Sequence, residues 1–307
     1  MRHVFIINPR AGKKDQTARI YAMADRLRAA HGLECACMLT DRPGGAAEMA
    51  RRLAAEGGEV RVYACGGDGT VSEVANGLAG FSNAAMTCVP AGTGNDFLKN
   101  FGPDMEKFRD AENLWDGLAF PLDLIDCNGR YCLTIACSGI DAQVAEGVHL
   151  YSRSPLLNGR GSYLASVAAN VLLRPIGHRW TVTLDGEVTE GDFTLVSVCN
   201  GRHYGGGSTP VPEARMDDGV LNTILVRKIG KAAFARLFAV YSAGNYRQVP
   251  QAAWTVTARE VRIQSEEEIV TCLDGECFRS RDVVLRLADK RVNFFGPRGC
   301  DPNATAR

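Results

Sequence analysis

Six consecutive residues, Cys65-Gly66-Gly67-Asp68-Gly69-Thr70, gather three glycines and a hydroxyl around one carboxylate. Glycines at this density let the backbone turn sharply and approach a ligand closely. The turn leaves Val60-Arg61-Val62-Tyr63-Ala64, whose β-branched and aromatic residues make a short strand. Val71, Val74, Ala75 and Leu78 follow it at helical spacing. A strand–turn–helix corner of this kind presents exposed N–H groups and the positive end of a helix dipole, which together suit an anion, above all phosphate. A carboxylate inside such a turn repels phosphate unless a metal or a transferring proton is involved. The pattern therefore points to nucleotide chemistry rather than nucleotide storage. The competing reading is a corner whose glycines serve geometry alone.

Two further turns bear on that choice. Val4-Phe5-Ile6-Ile7 reads as a buried strand, and Asn8-Pro9-Arg10-Ala11-Gly12-Lys13-Lys14 follows it, with a helix from about Gln16 to Ala30. Asn8-Pro9 marks a turn, Gly12 permits tight geometry, and Arg10, Lys13 and Lys14 can meet phosphate oxygens or simply be solvated. No G-x-x-x-x-G-K-[ST] is present, so this is not a Walker A loop. The second turn, Pro90-Ala91-Gly92-Thr93-Gly94-Asn95-Asp96, leaves the strand signal at 85–89 and opens toward a helical stretch. Thr93 brings a hydroxyl, Asn95 an amide and Asp96 a second carboxylate. Strands of one parallel sheet carry their ligand loops at one carboxyl edge, so the three turns can converge.

In this order, the three turns resemble the diacylglycerol kinase catalytic-domain family, the bacterial lipid kinase and sphingosine kinase group. Met216-Asp217-Asp218-Gly219-Val220-Leu221 and Leu273-Asp274-Gly275-Glu276 extend the resemblance to nearly the whole chain, from Val4 to Phe295. The double-glycine turn is shared with NAD kinases and phosphofructokinases; the G-T-G-N-D turn with a late D-G-E is far more specific. The resemblance implies an ATP-dependent lipid kinase that phosphorylates the primary hydroxyl of a lipid such as diacylglycerol or a sphingoid base. It implies nucleotide contacts from Asn8, Pro9, Arg10, Ala11, Gly12, Lys13, Thr40, Gly66, Gly67, Gly69, Thr70, Glu73, Thr93, Asn95 and Asp96. Lys99 stands where some relatives carry Arg, so its phosphate contact would be a point charge rather than a fork.

Phosphoryl transfer needs a positioned triphosphate, a metal that spreads charge, and a base for the attacking hydroxyl. By resemblance, either Glu276 or Asp274 accepts the proton, and Asp68 holds catalytic magnesium or assists. A carboxylate base works best when its surroundings bring its pKa toward the working pH. Gly275, lacking a side chain, lets both carboxylates face one cleft. Asp-Gly is equally a hairpin signal, and Asp185-Gly186-Glu187 repeats the triplet; only family position separates the two copies. Arg215 to Val220 resembles a structural Mg2+ loop, with Asp218 as side-chain ligand and carbonyls from Arg215 and Val220, a donor set that suits a hard cation. The same stretch also reads as a solvated turn. Asp123 matches a family acidic position in the polar network near that loop.

The elements that must position these residues divide near Ala119. Before it, strand and helix signals alternate: helices at 16–30, 44–56, 71–79 and 105–118, and strands at 33–39, 60–65 and 85–89. That order predicts a doubly wound α/β nucleotide-binding domain over 1–118. After it β patterns dominate (122–125, 131–137, 180–184, 194–199, 221–227, 254–258, 261–264, 283–287), predicting a β-rich, sandwich-like domain over 119–307. Asn128-Gly129 and Asp185-Gly186 are hairpin turns. Helices are expected at 161–174 and 231–242. The resemblance implies that the last residues return to the first domain. Helix 161–174 is apolar around much of its circumference and, with Leu156, Leu157, Arg153, Arg160 and Arg174, suits lipid contact or a buried core.

Composition fits. A chain of 307 residues exceeds a usual single core. A formal net charge of +0 argues against nucleic acid and against purely electrostatic membrane attachment. No apolar run has membrane-spanning length, and the first strand begins too early for a signal peptide, so a cytoplasmic protein with transient peripheral membrane contact is expected. Eleven cysteines without a C-x-x-C pair read as reduced, mostly buried thiols. The five histidines do not cluster, and His203 lies in a glycine-rich loop. The expected partner is a lipid substrate at a membrane surface, with a homodimer as one possible assembly. Two other functions compete with the lipid kinase: an NAD kinase-like enzyme and a non-catalytic nucleotide- or lipid-binding regulator. A Rossmann dehydrogenase lacks its G-x-G-x-x-G after the first strand.

Overall fold

The computed structural model describes residues 1–92, 94–151 and 176–304. The expected helix 161–174 and its flanking Arg153, Leu156, Leu157, Arg160 and Arg174 lie outside them, as does Thr93. Two compact units are present, Met1–Leu124 with Ala288–Arg307, and Ile125–Leu287.

The first unit is α/β. In chain order it contains β1 (Arg2–Ile7), α1 (Thr17–His31), β2 (Glu34–Leu39), α2 (Gly45–Ala55), β3 (Val60–Gly66), α3 (Asp68–Leu78), β4 (Ala84–Pro90), β5 (Ala119–Leu122) and, from the far end of the chain, β15 (Val292–Phe295). The sheet runs β2-β1-β3-β4-β15-β5; all pairings are parallel except β15 with β5. The first step goes from β1 outward to β2, whereas the next jumps back past β1 to β3. Right-handed crossovers then place α1 on one face and α2 with α3 on the other. The order in which strands are added to the sheet reverses between β1 and β3, which run parallel, and ligand crevices of open α/β sheets lie at such a switch point, beyond the carboxyl ends of the strands. Strands covered on both faces become continuous apolar runs, and Val4, Phe5, Ile6 and Ile7 are all buried.

The unit boundary falls past residue 118 because β5 pairs with β15 and so belongs to the α/β sheet. The expected helix 105–118 is absent. Short 3-10 segments, Phe97–Arg109 and Ala111–Asn113, occupy this stretch. Gly102 has φ 53° and Pro103 follows it, which interrupts any continuous α-helical ladder. Phe97, Phe101 and Phe108 instead gather around Phe294 of β15.

The second unit is β-rich: β6 (Ile125–Cys127), β7 (Arg130–Cys132), β8 (Ile135–Gly139), α4 (Ile140–Tyr151), β9 (His178–Leu184), β10 (Glu187–Cys199), β11 (Leu221–Arg227), α5 (Lys231–Ser242), β12 (Ala253–Ala258), β13 (Glu260–Leu273) and β14 (Glu276–Leu287). Its sheet runs β12-β11-β10-β8-β13-β14-β6-β7. The long strands β10 and β13 hold β9 between one pair of halves and β8 between the other. The strand expected over 131–137 is broken at Leu133-Thr134, where the chain steps from β7 to β8. Helix α4 is not among the expected elements. Among the described residues, no helix is long and apolar enough to cross a membrane.

Candidate active site

In the first unit the loops after β1, β3 and β4 close on one another. Asn8 N–H donates to Cys65 O at 2.9 Å, and Asn8 Nδ2 lies 3.2 Å from Thr70 Oγ1. Ala91 N and Gly92 N both donate to Gly66 O, at 2.9 and 3.2 Å. The glycines are required by this approach. A Cβ on Gly12 would sit 2.2 Å from Ala91 O, and one on Gly92 would sit 2.6 Å from Gly67 Cα, distances that leave no room for a side chain. Asn8, Ala11, Gly12, Gly67, Asp68, Gly69, Thr70, Gly92 and Gly94 line an open pocket of about 340 Å³.

Helix α3 begins at Asp68 itself, with Gly67 as an extended N-cap and no side-chain cap. The first N–H groups of an α-helix have no intrahelical acceptor, so α3 aims polarised donors from the β3 corner. Arg10 and Lys13 are exposed on the β1 loop, and neither pairs with a carboxylate among the described residues. Asp68 Oδ1 accepts from Phe97 N–H at 3.1 Å and so ties the β3 corner to the β4 loop. Its place in the first turn of α3 is also favourable to the helix dipole.

The other expected nucleotide contacts are distributed as follows. Pro9 and Ala11 lie in the β1 turn, where Ala11 N–H donates to Asn8 O. Asn95 takes φ 50°, and its Nδ2 donates to Gly92 O. Asp96 pairs with Lys99. Thr40 N–H donates to Ile7 O at the end of β1. Glu73 is turned to other work: its two oxygens accept Gly44 N–H at 2.9 Å and Ala46 N–H at 3.1 Å, capping α2. It does not line the pocket. Asp123 is buried and pairs with Arg291 at 2.7 Å.

In the second unit, Asp274 and Gly275 take φ 45° and 98° and form the turn between β13 and β14. The competing hairpin reading of this triplet is therefore correct as geometry, and the turn also serves to place the acids. Asp274 Oδ1 accepts from Thr134 N (3.0 Å) and Thr134 Oγ1 (2.5 Å), and Oδ2 accepts from Leu133 N (2.5 Å). Asn200 fastens the same loop from β10, donating to Leu133 O through Nδ2 and to Thr134 O through its N–H, both at 2.8 Å. Glu276 is exposed and pairs with Arg130 of β7. Two acids two residues apart thus stand in different states: Asp274 is engaged by three donors, while Glu276 is held by a single guanidinium.

Asp218 folds over Gly219 (φ 75°), its Oδ1 accepting Val220 N–H at 3.2 Å, and Arg215 pairs with Asp217. Among the described residues there is no cluster of three His, Cys, Asp or Glu side chains able to hold a metal. One carboxylate with main-chain carbonyls nonetheless fits a hard dication that keeps several waters.

A profile of the diacylglycerol kinase catalytic domain matches residues 2–127, and one of the YegS C-terminal NAD kinase beta sandwich-like domain matches residues 134–294. The chain belongs to this lipid kinase family. The diacylglycerol kinase of Bacillus subtilis (strain 168) is 27% identical over 273 residues, covering 88% of each chain. A crystal structure of a diacylglycerol kinase from Bacillus anthracis str. Sterne superposes with a TM-score of 0.69 at 23% identity, covering 96% of each chain. That likeness carries the fold: an α/β unit with a parallel sheet, and a β-rich one.

Within this lipid kinase scaffold the structure exposes a group that motif reading misses. Asp141, at the start of α4, is buried and accepts from the hydroxyls of Tyr204 and Tyr241, the latter at 2.8 Å; Tyr241 in turn lies 3.1 Å from Ser197 Oγ. Burial raises the Asp141 carboxyl above the usual carboxylate range, and the two tyrosine donors work against that shift. The network joins α4, the loop after β10 and α5. Its members lie far apart in sequence, so no local spacing announces them.

Proposed function

We propose that this lipid kinase family member transfers the γ-phosphate of ATP to the primary hydroxyl of a membrane-presented lipid, such as diacylglycerol or a sphingoid base. The observation that carries the reading is the three-loop glycine cradle at the switch point of the α/β sheet. Main-chain donors of α3, with Arg10 and Lys13, bind and orient the triphosphate; Asn8 and Thr70 hold the β1 and β3 loops in register. Asp68 fixes the β4 loop through Phe97.

Glu276 accepts the proton of the attacking hydroxyl. Asp274 has its oxygens occupied by three donors from Leu133 and Thr134 and positions the hairpin instead. Arg130 steers the Glu276 carboxylate. Mg2+ would be held at Asp218 with the carbonyls of Arg215 and Val220, and would neutralise charge and hold the shape of that loop. Loss of a positioned general base typically lowers turnover by ~10²–10⁴-fold.

The test is transfer of label from γ-labelled ATP, with Mg2+, to a panel of mixed-micelle lipids and to NAD, for wild type beside Glu276→Gln. Label entering one lipid class, with turnover lost in the variant and ATP affinity retained, is the expected result. Label on NAD alone would move the chain to NAD kinase chemistry. ATP binding without any acceptor would mark a regulator.

A further inference from the structure

Three cysteines lie abreast on neighbouring strands. Cys272 of β13 is opposite Cys277 of β14 on one side and opposite Cys137 of β8 on the other. Directly opposed residues of antiparallel strands project to one face of the sheet. That face carries α4, since Cys277 Sγ reaches Ala142 O at 3.6 Å. The three thiols therefore sit in a row on that face, with Cys272 between Cys137 and Cys277. Cys272 and Cys277 also bracket Leu273-Asp274-Gly275-Glu276, so they form the neck of the D-G-E hairpin.

Register decides which pair can close. Leu273 and Glu276 close a two-residue turn and are its hydrogen-bonded pair. Alternation makes Cys272–Cys277 a non-hydrogen-bonded pair, for which antiparallel geometry sets Cα atoms ~4.5 Å apart with side chains close. On its other edge Cys272 meets Cys137 at a hydrogen-bonded position, with Cα atoms ~5.5 Å apart. A disulfide needs Cβ atoms within about 3.5–4.5 Å, which favours the narrow pair. Access follows the same order: Cys277 is half-buried, whereas Cys272 and Cys137 are buried.

We propose that Cys272 and Cys277 are a redox-active pair that closes to a disulfide by exchange with a low-molecular-weight disulfide, RSSR, and thereby disables the D-G-E hairpin. The Cys277 thiolate attacks one sulfur of RSSR and expels RS⁻. The Cys272 thiolate then attacks the Cys277 sulfur of the mixed disulfide and expels the second RS⁻. The two protons lost by the protein thiols end on the leaving thiolates. Two protein thiols and RSSR thus become one protein disulfide and two RSH, a two-electron oxidation of the protein.

The neighbouring Cys272 thiol, followed by burial, pushes Cys277 well above the usual thiol range; Glu146 of α4 adds to this and Arg130 opposes it. Cys272 is likewise raised, first by the neighbouring Cys137 thiol. Exchange requires thiolate, so it quickens by ~tenfold per pH unit below the thiol pKa. The loss of activity rests on the reading of Glu276 as the base; the disulfide itself does not.

The protein is incubated with oxidised glutathione at about pH 8.5, alkylated, digested with trypsin and read by mass spectrometry; the pH is chosen to raise the thiolate fraction. Cys272 and Cys277 share one tryptic peptide, 263–279, and Cys137 lies on another, 131–153. The expected product is peptide 263–279 lighter by two hydrogens and resistant to alkylation, with a yield that rises with pH and vanishes in Cys277→Ser. Lipid phosphorylation falls at least ~tenfold, as displacement of a catalytic group implies, and returns with dithiothreitol; Cys277→Ser is immune. A cross-link between the two peptides, or two cysteines that still alkylate after prolonged treatment, overturns the pair. A closed disulfide with undiminished phosphorylation overturns its coupling to the hairpin. A closed disulfide in a protein that phosphorylates no lipid even when reduced would refute the kinase reading and leave the pair standing.

Discussion

Asp185-Gly186-Glu187 and Asp274-Gly275-Glu276 are the same three residues in the same turn. Their backbones nearly coincide: φ is 46° and 93° at the first aspartate and glycine, 45° and 98° at the second. Each aspartate reaches sideways to main-chain N–H groups. Asp185 Oδ1 accepts from Arg259 N at 2.9 Å and Glu260 N at 2.8 Å, at the start of β13. Asp274 accepts from Leu133 and Thr134 in the loop that Asn200 fastens from below. The first hairpin is exposed and docks on a strand end. The second is half-buried at its aspartate, docks on a loop held by other strands, and sets its glutamate against Arg130. A triplet becomes a candidate catalytic element through what it docks on, and the local residues cannot say which copy has done so.

The largest separation between the copies is expected in turnover. Glu276→Gln should lower kcat by ~10²–10⁴-fold as a lost general base, while Glu187→Gln leaves kcat within about twofold, since surface changes away from special features have small effects. Steady-state kinetics on the lipid identified by the labelling panel would decide it. Equal effects at the two positions would dissolve the distinction between the hairpins.

Stability should separate the two aspartates. Asp274→Ala strips the acceptor from two main-chain N–H groups and a hydroxyl, and should destabilise the second unit by ~2–4 kcal/mol, because hydrogen bonds to charged groups and desolvated donors are costly to lose. Asp185→Ala leaves donors that water can reach, at ~1 kcal/mol or less. Urea denaturation of the two variants measures the difference. A cost at Asp185 equal to that at Asp274 would mean that the Leu133-Thr134 loop is held chiefly by Asn200.

Much of this was legible in the sequence, for reasons the residues make plain. The β1–β4 alternation is strong because strands buried on both faces are apolar throughout, and the glycine turns are visible because no other residue fits where one backbone lies against another. What escaped has the opposite character. The chain over 105–118 carries apolar residues at helix-compatible spacing, yet its path is set by Gly102, Pro103 and packing against Phe294, nearly two hundred positions away in the chain. Glu73 caps α2 from α3, and Asp141 meets Tyr204 and Tyr241. Each depends on partners that only the fold brings together. The division between acids in the D-G-E turn is of the same kind, since Thr134 and Arg130 bear no sequence relation to Asp274.

Arg130 offers a finer cut. Its pair with Glu276 has side chains 43% and 60% exposed, so its contribution to stability should be small, below ~1 kcal/mol. Arg130→Met should instead lower kcat by about tenfold through a misdirected carboxylate, since small displacements of a catalytic group are expensive. It should leave the denaturation midpoint nearly unchanged. A shift in midpoint without a change in kcat would make Arg130 a structural partner and leave Glu276 unsteered.

The smallest effect tests whether the turns themselves are equivalent. A Cβ on either Gly186 or Gly275 would meet nothing within 4 Å, so an alanine at either site pays only for its backbone conformation. At φ of 93° and 98° that strain is similar in both, roughly 1–2 kcal/mol. Gly186→Ala and Gly275→Ala should therefore lower stability by matching amounts in urea denaturation. Only Gly275→Ala should also reduce kcat, because relaxing that turn rotates Glu276 away from Arg130 while Asp274 stays fastened to its loop. Matching losses of stability with unequal losses of turnover would assign the difference between the hairpins to their docking alone. Unequal losses of stability would mean that the second turn carries strain of its own.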